Sequence, residues 1–204
     1  MNSEQAAVIW HYDLLIDGGN DPVNDPEPLR RYMDKWDGQP FLDALQLTKE
    51  KSVLEIGVGT GRLGVRVAPL CGTFFGIDMS PKTIRRAKDN LQDYGNVTLI
   101  CADFAEHVFR RRFDVIYSTL TFMHIRDKQA ALCKVGKLLN DGGRFILSID
   151  KNQSGVLCCG EREIRVYPDS EEETVCYIQQ SGMQVEKVFE TAFAHIFAAI
   201  MPSA

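Results

Sequence analysis

Between Val53 and Gly64 the chain reads VLEIGVGTGRLG, a run of β-forming residues that ends in Gly57, Gly59 and Gly61. Glycines at alternate positions leave the backbone bare, so a ligand can approach where side chains would clash. In open α/β sheets ligands bind beyond the carboxyl ends of strands, which is where such a turn would lie. The next residue narrows the ligand. A dinucleotide fingerprint needs glycine three positions after the second one, and Arg62 stands there, where it would crowd a pyrophosphate. No Gly-Lys-Ser/Thr follows, which excludes a phosphate-binding P-loop. The pattern favours a nucleoside ligand without a pyrophosphate.

Two carboxylates follow at expected strand ends. Asp78 closes TFFGID, and a carboxylate there can accept hydrogen bonds from both hydroxyls of a ribose. Asp103, in CADF, can accept from the exocyclic amine of adenine, while Phe104 can offer its backbone N–H to a ring nitrogen and its side chain to a ring face. For each aspartate the alternative is an ordinary loop or helix-entry residue. His124 is the first candidate for a general base, because imidazole titrates near neutral pH; a loop-packing histidine is the alternative. His11 and Tyr12 are second candidates, and His195, in an apolar run, reads as structural. Asp150 has no partner set, so a metal is disfavoured.

The elements that must position these groups alternate along the chain. Apolar strands are expected at 52–57, 73–78, 97–101, 113–119 and 143–150. Between them lie helical patterns at about 61–69, from Pro81 with Ser80 as its cap, and at about 127–139, the last ended by the turn NDGG at 140–143. Such alternation argues for a doubly wound, mostly parallel α/β sheet with helices on both faces. The runs 185–191 and 194–202 are joined too closely for anything but a hairpin, so an antiparallel pair should complete the sheet. EIRVYP (163–168) suggests a further short strand, and Ser170 with Glu173 a capped helix to about Ser181. Residues 1–47 read as one or two helices around the breaker-rich loop 18–28.

With 204 residues the chain suits one domain: an N-terminal helical part (1–47), a central part (48–150) and a sheet-completing part (151–204). A net charge of −5 disfavours nonspecific nucleic-acid binding, and the clusters Lys82–Arg85–Arg86–Lys88 and Arg110–Arg111–Arg112 read as solvated surface. The six cysteines have no zinc or redox spacing, Cys158 and Cys159 being adjacent. No signal peptide or transmembrane run is present, so a reduced, cytoplasmic protein with no membrane partner is expected.

Taken together these residues resemble the class I S-adenosylmethionine (SAM)-dependent methyltransferase family, over about residues 50–150. Its first motif, an acidic residue, a spacer and Gly-x-Gly-x-Gly, falls on Glu55, Gly57, Gly59 and Gly61; its ribose and adenine acids fall on Asp78 and Asp103. FDVIYST, with Asp114, and LLNDGGRFILS match its fourth- and fifth-strand motifs. The resemblance implies a seven-stranded Rossmann-like methyltransferase fold with SAM as cofactor. It implies that the three glycines pack beside the methionine part, that Glu55 holds the ammonium, that Met79 packs on adenine beside Asp78 and that Ser118 lines the cofactor. It also places a histidine near His124 and folds N-terminal helices over the acceptor, where Trp10, Tyr32 and Trp36 would line the lid or pack in the core. STLTFM stands where base-amine methyltransferases carry Asn-Pro-Pro-Tyr. That argues against base-amine methylation, and the acidic balance, the single compact domain and the lack of an appended nucleic-acid module lead to the expectation of a small-molecule acceptor. Methylation of tRNA or protein, and a non-catalytic SAM-binding regulatory protein, stay open as alternatives.

Overall fold

The computed structural model describes residues 3–159 and 162–203. Seven strands form one sheet in the order β3-β2-β1-β4-β5-β9-β8. Its parallel part comprises β1 (Ser52–Ile56), β2 (Thr73–Asp78), β3 (Val97–Cys101), β4 (Phe113–Thr119) and β5 (Leu139–Asp150). The hairpin β8 (Gln184–Glu190) and β9 (Ala194–Ile200) completes it antiparallel, with β9 against β5. Side chains on a strand alternate between faces, and the core divides accordingly. Leu54, Ile56, Ile116, Phe145 and Leu147 pack on one face under α6 (Lys128–Leu138) and α7 (Glu171–Gln180). Val53, Phe74, Val115, Tyr117 and Ile146 pack on the other under α3 (Gly38–Ala44), α4 (Gly64–Val67) and α5 (Pro81–Asn90).

The strands and α5 fall where the sequence pattern puts them, and Ser80 caps α5 by accepting from the Thr83 N–H. Other elements differ, each for a local reason. The N-terminal part holds three helices, α1 (Ser3–Asp17), α2 (Glu27–Met33) and α3, because Gly38 at φ +66° and the capping carboxylate of Asp37 break the pattern after Met33. The helix after the glycine turn is shorter than 61–69: Gly61 at φ +93° cannot be helical, and past Val67 a 3-10 turn containing Pro69 takes over. The segment 140–143 is a bulge inside β5, not a turn before it. Leu139 already pairs with Phe113, and the register then shifts to Val115 opposite Arg144, with Gly142 at φ +71°. β7 (Arg162–Arg165) starts one residue before the expected 163 and stops well short of 168; its partner β6 (Val156–Cys159), unforeseen in the sequence, makes a separate hairpin. The side chain of Cys159 lies outside the described residues.

The order reverses between β1 and β4, so the chain leaves β1 toward β2 and β3 on one side and returns to β4 on the other. This opens a crevice beyond their carboxyl ends. Asp114 ties the opposite end. Its Oδ2 accepts from the Ser52 N–H (2.8 Å) and hydroxyl (2.7 Å), and its Oδ1 from the Asn140 amide (2.7 Å). Burial alone would raise its pKa, but these hydrogen bonds outweigh that and lower it. Asp114→Ala leaves the Ser52 and Asn140 donors without their acceptor, and urea denaturation should show a loss of about 1–3 kcal/mol with the fold retained.

Candidate functional site

The turn after β1 runs across the crevice. The N–H groups of Gly57 and Val58 both donate to Ile77 O, at 2.9 and 3.1 Å, which locks the turn to β2. Gly57, Gly59 and Gly61 have φ of +78°, +56° and +93°, a region that penalises any L side chain. Their surroundings differ. A Cβ on Gly57 would lie 1.9 Å from Thr121 Oγ1, and one on Gly61 would press on Leu91 at 3.0 Å, whereas one on Gly59 would meet nothing within 4 Å. Gly57 and Gly59 line the cavity and Gly61 does not, so the third glycine serves the packing of the turn on α5 rather than an open backbone.

The cavity measures about 740 Å³, within the range of ligand sites and large enough for a nucleoside together with a second small molecule. Asp78 and Asp103 both reach it. Asp78 Oδ2 accepts from the Gly59 N–H at 3.1 Å and Oδ1 from the Ser80 N–H at 2.9 Å; burial raises its pKa against the pull of those donors. Asp103 Oδ1 accepts from the Ala105 N–H (2.7 Å) and Oδ2 from Gln5 Nε2 (2.6 Å). Met79 and Phe104 line the wall between these acids, and the Lys134 ammonium stands 5.0 Å from the Phe104 ring centre. Ser118 is placed differently from the expectation. It is fully buried with its hydroxyl on Ile56 O (2.8 Å), and the wall beyond β4 is formed instead by Thr119, Leu120 and Thr121.

Glu55, 2% exposed, faces the cavity from below the turn. Its Oε2 accepts from the Tyr117 hydroxyl at 2.9 Å. Burial pushes its carboxyl up to about 8, against that hydrogen bond and the Arg62 guanidinium, with Asp37 and Asp78 adding to the rise. Arg62 does not neutralise Glu55, because its fork is taken by the fully buried Asp37, which also accepts from Thr119 Oγ1. Sequence reasoning reached Arg62 only as an obstacle and missed Asp37, whose role depends on a fold contact across 25 positions.

On the far side of the cavity His124 Nε2 meets the Tyr12 hydroxyl at 2.8 Å. Burial, then the nearby His11 and Lys128, lower the imidazole pKa to about 4. Its Nδ1 is buried without a hydrogen-bond partner among the described residues. Tyr12 comes from α1, which forms the roof of the cavity with Val8, Ile9, Leu15 and Ile16. His11 lies buried edge-on to Tyr12. Trp10, Tyr32 and Trp36 do not line the cavity: Tyr32 and Trp36 stack with Phe193, and Trp10 is 58% exposed. Asp150 accepts from the Trp36 indole at 2.8 Å. Among the described residues no group of three or more His, Cys, Asp or Glu is arranged to hold a metal ion.

A family model described as a methyltransferase domain matches residues 47–191, and the chain belongs to that family. An uncharacterised methyltransferase of Anoxybacillus flavithermus is 36% identical over 124 residues, covering 58% of this chain and 56% of its own length, so the chain spans little more than half of that relative. Among solved structures, the magnesium protoporphyrin IX methyltransferase of Synechocystis PCC 6803 with bound SAM aligns at TM-score 0.77 and 17% identity, covering 98% of each chain. The [4+2]-cyclase SpnF aligns at TM-score 0.74 and 16% identity, covering 100% of this chain and 98% of its own. At these identities the likeness is one of fold, and the fold is the Rossmann-like methyltransferase sheet.

A buried carboxyl with a raised pKa binds its proton more tightly folded than unfolded. Its contribution to stability is complete below about pH 4.5 and is lost as pH rises to about 8. Glu55→Gln should remove this slope. Thermal denaturation from about pH 5 to about pH 8.5 is expected to show the wild type losing ground to the variant as pH rises; a gap that stays constant with pH contradicts a neutral Glu55.

Proposed function

We propose that the chain transfers the methyl group of SAM to a small, largely apolar acceptor enclosed beneath α1. One observation carries the acceptor size: the half-buried Tyr12–His124 pair, the best-placed proton-handling group, ties His124 to the helix that lines the cavity with aliphatic side chains. A tRNA base or protein side chain would have to displace that helix. The charge distribution agrees, since in the basic cluster of α5 Lys82 is paired with Asp17 and Arg86 with Asp21.

The cavity fits the cofactor. Gly59 presents open backbone at positive φ, and two carboxylates stand at neighbouring strand ends. Asp78 would hold the ribose hydroxyls, Asp103 and Phe104 the adenine, Met79 its ring face, Gly57 and Gly59 the methionine part, and Glu55 the ammonium. When bound, SAM supplies a methyl group already activated on a sulfonium. The chain then has to orient the acceptor and exclude water. His124, neutral because of its burial, takes the acceptor's proton on Nε2 once Tyr12 gives up that nitrogen. A low pKa suffices there for an oxygen acceptor, since the oxonium formed when a neutral hydroxyl gains a methyl group is strongly acidic. In one domain, α1 acts as the roof while α3 of the same 1–47 part packs on the sheet, 48–150 acts as the cofactor-binding core and 151–204 as the sheet-completing part. Among the described residues no helix is long and apolar enough to cross a membrane, and the described cysteines are free thiols, which suits a reducing cytoplasm.

Screening conversion of SAM to S-adenosylhomocysteine against pooled metabolites, tRNA and protein tests the reading. Turnover only with macromolecules overturns the acceptor class, and binding without turnover in any pool leaves a SAM-binding regulatory protein. Asp78→Ala should keep the fold and weaken SAM at least about tenfold by calorimetry. His124→Ala should leave SAM affinity within about twofold and lower turnover by about a hundredfold once an acceptor is in hand.

A further inference from the structure

Both oxygens of Asp103 are engaged by the protein itself. Oδ1 holds the Ala105 N–H, and Oδ2 holds the carboxamide of Gln5, reaching down from the first turn of α1 at 2.6 Å. A primary carboxamide and the exocyclic amine of adenine are the same kind of donor, a planar neutral nitrogen with two N–H bonds. Gln5 and Asp103 both line the cavity. We propose that Gln5 is a built-in stand-in for the adenine amine, so that the cofactor and the first turn of α1 compete for Asp103 Oδ2. This rests on assigning Asp103 to adenine.

The rest of α1 is tethered elsewhere. Asp13 accepts from the Ser80 hydroxyl (2.6 Å) and the Lys82 N–H (3.2 Å), and Tyr12 meets His124. Displacing Gln5 therefore releases the first turn while the middle of the helix stays anchored. The residue before Gln5, Glu4, accepts from the Tyr167 hydroxyl at 2.7 Å, and Tyr167 lines the cavity beside His124, its N–H on Met123 O at 2.7 Å. Cofactor binding thus loosens the wall through which the acceptor arrives, which sets the order as cofactor first and acceptor second. A competitor inside the protein lowers the apparent affinity by the fraction of molecules in which it has let go. Removing that competitor raises the affinity.

S-adenosylhomocysteine is the probe, with calorimetry and amide hydrogen exchange as readouts. Gln5→Leu keeps the side-chain bulk without the donor, and Gln5→Ala removes both. Each is expected to bind the probe roughly three- to tenfold more tightly than the wild type. In the wild type, adding the probe should speed exchange at residues 4–8; in Gln5→Leu that exchange should already be fast without it. Affinity that is unchanged or weaker in both variants overturns the competition, as does protection of residues 4–8 by the probe. Asp103→Ala separates the two layers. If it leaves affinity intact, the adenine assignment fails and the competition with it; if it weakens binding while Gln5→Leu binds no tighter, only the competition fails.

Discussion

The site depends on a strand order that reverses between β1 and β4. The connections that leave these two parallel strands run to opposite sides and leave the carboxyl ends uncovered, and the cavity groups from the sheet stand at strand ends or on the loops that follow them. The turn after β1 is held open through its backbone N–H groups, with Asp78 taking that of Gly59. Its N–H groups bind β2, and the side of Gly57 is filled by Thr121 from the loop after β4. The same loop carries His124, so the glycine turn and the imidazole are set at a fixed spacing by one side-chain-into-backbone contact.

Around this frame the electrostatics are arranged by competition rather than by pairing. One guanidinium, Arg62, serves three nearby carboxylates, and Asp37 takes it. Glu55 is left with a phenol and a preference for its proton, and Asp78 with backbone N–H groups. A cationic ligand entering here meets carboxyl groups that no protein cation has claimed, and its charge would favour their ionised form over the protonated one.

Much of this was legible in the sequence because it is local. The strands, the cap of α5 and the terminal hairpin follow from periodicity and turn chemistry within a few residues. That Asp78 and Asp103 line the cavity was legible because one closes β2 and the other stands just beyond β3, at the open edge of the sheet. The glycines were read for the right place and partly for the wrong reason: positive φ demands glycine at all three positions, and only Gly59 also faces open space. At Ser118 the strand's alternation turns the hydroxyl inward and gives the wall to its successors, which a motif match alone does not reveal. Asp37, Gln5 and the β6 partner of β7 carry no local signal, since each acquires its role from a segment brought near only by the tertiary fold.

The roof has its own consequence. Of all the residues of α1, only His11 is buried, and the helix is held largely by polar bonds at its rim. An element without an apolar root lifts at little energetic cost, far below that of unfolding the sheet. In the proposed reaction the same wall would shut out water and have to swing aside for each departing product, and such excursions run on microsecond to millisecond clocks. The tempo of a full cycle would then be a property of the hinge and its rim bonds as much as of the reacting atoms.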